Sequence, residues 1–197
     1  MQRTEFKNLH TLWHFDRTRE ITNNLIFMFA TTTETNDKKF FLNDTVKKSL
    51  GWPESINTLY DYRRMFGDVY ERIFQFCVIS LCSDVEAFFK DTFDKFGYTK
   101  GSGSGFFQRF DDVIAVLRTA GYDFSDIDQK LINIRLAFQV RHIGIHNNGI
   151  VDQSFFDKTN TGTLGHTYPI DQEKYKEMFD SYVALLKHLD GQLPAVR

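Results

Sequence analysis

The sequence predicts an all-α protein, an up-and-down helical bundle of about five main helices, and three observations carry that expectation. Apolar residues recur at steps of three and four in five long segments. Residues that break or cap helices collect between those segments, and no period of 20 to 50 residues recurs, which argues against a solenoid. With 197 residues the chain is long enough to bury a substantial core as one domain. We divide it into an N-terminal helix and connection over residues 1–60 and a core over 61–197.

The first segment, residues 5–29, places Phe6, Leu9, Trp13, Ile21, Leu25 and Phe29 on an imperfect apolar stripe. From Thr31 to Thr58 the chain turns polar, rich in Thr, Asn, Asp and Lys, and reads as a long connection with one short helix. Its pairs Lys38-Lys39 and Lys47-Lys48 read as a solvated face. Residues 60–96 give the strongest helical pattern, through Phe66, Val69, Ile73, Cys77, Leu81, Phe88 and Phe89, and predict the central helix. That helix also contains Ser83, Asp84 and Glu86. A buried carboxylate is costly unless paired, so a cationic partner is expected for one of the acids.

The glycine-serine run over 100–105 predicts a turn before helical spacing resumes at Phe106. Ser125 with Asp128 three residues later reads as a variant capping box. The helix that follows has Ile127, Leu131, Ile134, Phe138 and Ile145 on its apolar side. Beyond Gly149 the chain is expected to be extended, with room for a small hairpin, as far as Pro169. Asp171 then caps the last helix, whose core stripe is Tyr175, Met178, Phe179, Tyr182, Leu185, Leu186 and Leu189, with Ile170 and Tyr175 at staple spacing.

Composition narrows the function. Hydrophobic residues at 42% and charged residues at 25% fit a folded globular chain, and 21 phenylalanines predict an aromatic interior. Net charge is −2 with a pI near 6.3, so the chain lacks the global basic footprint of a duplex-coating protein and any nucleic-acid contact must be local. Cys77 and Cys82 lie about 140° apart on a helix, which predicts two buried thiols rather than a disulfide. No targeting segment or membrane-length apolar run stands out, so a cytoplasmic protein without a membrane partner is expected.

The densest chemistry is the run RHIGIHNNGIVD over residues 141–152. Arginine supplies a fixed cation with a planar donor fork, and histidine is the side chain suited to moving protons near neutral pH. Together they suggest work on a phosphate ester. An ideal helix puts His142 and His146 about 40° apart but Arg141 and His146 about 140° apart. A bend or helix end near Gly144 or Asn147-Asn148-Gly149, or a two-fold partner, is therefore expected to complete the site. His142 and His146 also have the spacing of helical zinc ligands, yet Ile143 stands where a zincin has Glu, and further ligands would have to come from His166 or a carboxylate. No metal or other cofactor is expected.

These residues resemble the HEPN superfamily, whose mark is an arginine, an adjoining polar residue and a histidine four to six positions after the arginine; here Arg141, His142 and His146. The stretch SDVEAFFKDTF from Ser83 to Phe93 and the continuation HNNGIVD are similar to those of stand-alone HEPN proteins of bacterial and phage conflict systems. The resemblance covers roughly residues 64–190. It implies a bundle that dimerises through the motif-bearing helices, and a metal-independent endoribonuclease that acts as a toxin or anti-phage effector. The chain lacks a tyrosine two residues after His146, so it does not look like the subgroup silenced by nucleotide transfer.

On that reading His146 and His142 move protons, Arg141 holds the phosphate and offsets developing charge, and Asn147 touches phosphate or fixes an imidazole. Glu86 or Asp84 orients Arg141. The expected partners are RNA, a second copy of the chain and a regulatory or antitoxin protein. Two other readings stand beside it, a catalytically silent module that binds RNA or protein and a purely structural helical adaptor.

Overall fold

The computed structural model describes residues 6–33, 38–66 and 72–194. Among these residues eight α-helices run in chain order: α1 (Leu9–Thr33), α2 (Asp44–Ser49), α3 (Leu59–Phe66), α4 (Ile73–Phe96), α5 (Phe110–Thr119), α6 (Asp128–His146), α7 (Gln153–Thr159) and α8 (Gln172–Gln192). The fold is all-α. Among the described residues the only β-type pairings are the isolated bridges Phe41–Thr58 and Ile150–Thr167. No described helix is long and apolar enough to cross a membrane.

The five main helices expected from the sequence correspond to α1, α4, α5, α6 and α8. The segment expected to be helical from 60 to 96 contains two helices, α3 and α4. Of the anticipated stripes, the side chains of Phe29 and Phe66, and Val69 altogether, lie outside the described residues. α4 and α8 pack together, and α1 and α6 each pack on both of them. The core lies among these four, with Phe88, Phe89, Phe93, Leu131, Tyr182, Leu185 and Leu186 fully buried or nearly so. Phe106 and Phe107, in a short 3-10 turn before α5, close one end by packing edge-on or tilted against Phe93. α4 stops at Gly97, whose left-handed conformation returns its N–H to the Phe93 carbonyl.

Both cysteines are buried free thiols, and burial pushes the Cys77 thiol up to about 11.

α1 departs from its sequence pattern. Leu9 and Trp13, read as part of the buried stripe, are 71% and 52% exposed, while Asn8, Thr11, His14, Phe15, Thr18 and Thr22 face inward. The register is set by polar bonds instead. The buried Asp190 carboxylate of α8 accepts from the backbone N–H groups of Lys7 (2.7 Å) and Asn8 (3.0 Å) at the entry to α1, where unpaired amides and the helix dipole favour an anion. Further along, the Thr22 and Tyr175 hydroxyls are bonded at 2.8 Å and His14 Nε2 meets Asp91 Oδ2 at 2.9 Å. A hydrophobicity count has no means of seeing such partners.

Three smaller expectations are corrected. Ser125 does not cap α6; its N–H and hydroxyl both donate to the Asp123 carboxylate, and α6 starts at Asp128 with no side-chain cap. Ile145 is 47% exposed, and Ile143 takes the buried place near that end of α6. The stretch after Gly149 contains α7, capped by the Asp152 carboxylate on the Phe155 N–H at 2.8 Å and ended by Asn160 in the left-handed region. The expected hairpin is reduced to the bridge Ile150–Thr167 and the backbone bonds around it, Tyr168 N–H to the Gly149 carbonyl, Val151 N–H to the His166 carbonyl and Gly165 N–H to the Val151 carbonyl, each 2.9 Å. Asp171 caps α8 as expected, accepting from the Lys174 N–H at 2.8 Å.

The end of α6 is fixed by backbone geometry. The N–H groups of Asn147 and Gly149 both reach the Ile143 carbonyl, at 2.8 and 2.9 Å, with Asn148 and Gly149 at φ of 52° and 80°. A Cβ on Gly149 would stand 2.0 Å from Nε2 and 2.8 Å from Cδ of Gln75, a buried side chain of α4. Gly149→Ala is therefore expected to lower stability by about 1–3 kcal/mol through left-handed strain and displacement of Gln75. Chemical denaturation checks this, and a change within about 0.5 kcal/mol would contradict it.

Candidate functional site

A groove of about 970 Å³ opens between the start of α5, the exposed face of α6 and the end of α7. Arg141, His142 and His146 all line it. α6 runs unbroken to His146 and ends at Asn147-Asn148-Gly149, as one of the sequence expectations had it, so Gly144 does not end it; Gly144 lies close against Ile79 and Gln75 of α4. The groove is thus lined by all three residues within one chain, and a second chain is not required to gather them on one surface. His142 and His146 are exposed, with ring centroids 4.9 Å apart and planes at 52°.

Arg141 is held from behind. Its Nη2 lies 3.1 Å from Oε1 of Glu86, on α4, and both side chains are largely buried. The sequence expectation that an acid of the central helix would meet an arginine of α6 is met by Glu86. The contact is an ion pair outside hydrogen-bond alignment, leaving Arg141 Nε and Glu86 Oε1 with no hydrogen-bond partner among the described residues. Arg141 thus lines the groove as a cation braced from behind by Glu86.

Asp84 does not share that role. It faces α1 and α8, where Thr18, Arg17 and Tyr182 are its neighbours. Burial holds its carboxyl above the usual carboxylate range, against the opposing influences of Thr18 and Arg17. Asn147 is also removed from the groove lining; its side-chain amide donates to the Ile150 carbonyl at 2.8 Å and fixes the turn after α6.

The structure adds residues that sequence reading did not assign to the site. Arg109, Arg135 and Lys158 line the groove with Arg141, giving four cationic side chains against the carboxylates of Asp111 and Asp112. Asp111 pairs with Arg135 and Asp112 with Arg109, and all four of these side chains are substantially exposed. Exposed pairs of this kind are weak, so a polyanion can displace the carboxylates. Arg109 also donates to the Ser102 carbonyl at 2.7 Å, tying the glycine-serine turn to the groove rim. One signal was present in the sequence: Arg135, Gln139, His142 and His146 follow steps of four, three and four, a polar stripe on one face of α6. Lys38, Lys39, Lys47 and Lys48 take no part in the lining, and Lys47 bonds to Asp44 and Asn57. Neither His166 nor a carboxylate gathers with His142 and His146 as a third ligating group among the described residues.

No protein-family model, curated protein or solved structure matches this chain.

The two acids of α4 are predicted to behave oppositely. Glu86→Gln leaves the Arg141 cation poorly compensated and is expected to cost about 1–3 kcal/mol. Asp84 binds its proton more tightly in the folded than in the unfolded chain, so its contribution is complete below the unfolded value near 3.8 and is lost as pH rises through the folded one. Asp84→Asn should therefore leave the melting temperature at pH 7 unchanged or higher. Thermal melts of the two variants at pH 7 decide, and a larger loss for Asp84→Asn than for Glu86→Gln would overturn this assignment.

Proposed function

We propose that the chain is a metal-independent endoribonuclease of the HEPN type, acting as a homodimer and serving as a toxin or anti-phage effector. The observation that carries this reading is the lining of one groove by Arg141, His142 and His146 together with three further cations. RNA supplies its own nucleophile. The 2′-oxygen attacks phosphorus as one imidazole takes its proton, the P–O5′ bond breaks, and another imidazole protonates the departing 5′-oxygen. The products are a 2′,3′-cyclic phosphate and a 5′-hydroxyl.

In this scheme His146 and His142 divide the proton transfers. Arg141, braced by Glu86, binds the scissile phosphate and stabilises the charge that builds on its oxygens. Arg109, Arg135 and Lys158 hold flanking phosphates, a local basic track on a chain whose net charge is −2. The second copy packs over the partly exposed Ile132 and Ile145 of α6, bringing the two motif-bearing helices together.

Purified protein is expected to cut single-stranded or loop RNA in the presence of EDTA and to leave 2′,3′-cyclic ends. His146→Ala and Arg141→Ala should each lose at least about 10²-fold in rate while staying folded. Binding without cleavage of any RNA, with these substitutions weakening affinity alone, would establish a silent binding module instead. Light scattering is expected to give a dimer at micromolar concentration; a strict monomer would remove the second copy from the scheme.

A further inference from the structure

A second constellation of chemically active side chains sits on α1 and α4 and shares no residue with the groove. His10 and His14 are one turn apart on α1, and Asp91 projects from α4 beside them. One ligand atom from each lies within 4.8 Å of the others. We propose that His10, His14 and Asp91 bind a divalent first-row transition-metal ion, of the zinc kind, that clamps α1 to α4.

Two nitrogens and one carboxylate oxygen form a donor set suited to zinc, with a fourth position left for water. Asp91 is 54% exposed, which opens that position to solvent. The rings are held before any ion arrives. His10 stacks on Phe88 with centroids 5.6 Å apart, and His14 stands edge-on to Phe88 at 5.4 Å and to Trp13 at 4.8 Å.

The tautomer of His10 is set as well. The Thr92 hydroxyl donates to the Phe88 carbonyl at 2.7 Å, and so accepts from His10 Nε2 at 3.0 Å. That leaves Nδ1 as the lone-pair nitrogen, and a hydrogen-bonded far side is how metal-binding imidazoles are usually oriented.

His14 Nε2 and Asp91 Oδ2 are 2.9 Å apart, against about 3.3 Å for neighbouring ligands at zinc bond lengths in a tetrahedral site. The three ligand atoms lie within 4.8 Å of one another, so the half-exposed Asp91 and His10 side chains draw in on binding, and the proton that His14 Nε2 shares with Asp91 is released to water. The clamp also suits its location, because the inward face of α1 is polar and the buried Thr11 hydroxyl has no hydrogen-bond partner among the described residues.

The test uses metal-free full-length chain titrated with zinc against a chromogenic chelator, and with cobalt(II) for its visible absorption. One ion per chain is expected, with tetrahedral-type cobalt bands and a rise in melting temperature of about 5 °C or more at hundredfold excess over Kd. His10→Gln and Asp91→Asn, both at partly exposed positions, should each weaken binding at least tenfold, whereas the His142→Ala/His146→Ala double variant should bind as wild type. No stoichiometric binding would overturn the proposal and leave a hydrogen-bonded crosslink. Binding that survives Asp91→Asn but is lost in the double variant would move the ion to the groove. None of these readouts depends on RNA cleavage, so this proposal and the nuclease reading fail separately.

Discussion

A helix covered on several sides has little solvent to satisfy its polar side chains, and α4 is such a helix, lying against α1, α6 and α8. The polar side chains it buries therefore face neighbouring elements rather than water, and Gln75 Nε2, Asp84 Oδ2 and Glu86 Oε1 keep no hydrogen-bond partner among the described residues. Glu86 meets Arg141 of α6, Gln75 lies against Gly149 just beyond α6, and Thr92 bonds to His10 of α1. The half-exposed Asp91 beside it bonds to His14. These contacts decide which face α6 turns to solvent and where it ends. The groove follows from them, because fixing Arg141 inward leaves His142 and His146 on the open side.

The same constraint explains why α1 turns a polar face inward. Apolar burial stabilises without direction, while hydrogen bonds stabilise only in register, so a helix attached through Asp190, Tyr175, Thr92 and Asp91 has one orientation available. Leu9 and Trp13 are left outside by that choice. The packing of Phe15 on Phe6, with centroids 5.2 Å apart, supplies a local apolar anchor near the start of the helix.

What the sequence disclosed, and what it withheld, follows the range of the interactions involved. The stripe of α8 was legible because Tyr175, Tyr182, Leu185 and Leu189 are buried by the hydrophobic effect, which leaves a period in the chain. The partner of Glu86 was legible in kind, since a buried acid needs a cation, and the motif supplied one in Arg141. The inward face of α1 was not, because each of its polar partners is remote in sequence: Asp190 follows Asn8 by 182 residues and Tyr175 follows Thr22 by 153. Arg109 and Lys158 were hidden for the same reason, being brought to α6 from separate elements. Ile145 misled because an apolar residue on the expected face of a helix end is buried only if another element reaches that far.

The proposed nuclease role requires that the groove of α6 be where RNA meets the protein. The most direct measurement is the histidine ring spectrum by heteronuclear NMR during titration with a 2′-O-methyl oligoribonucleotide, which can bind but lacks the attacking hydroxyl. The imidazole signals of His142 and His146 should shift together and saturate together, while His188, bonded to the Asp123 carbonyl at the far end of α6, should stay in place. Signals of His142 and His146 that stay fixed while the oligonucleotide binds elsewhere on the protein would contradict the account.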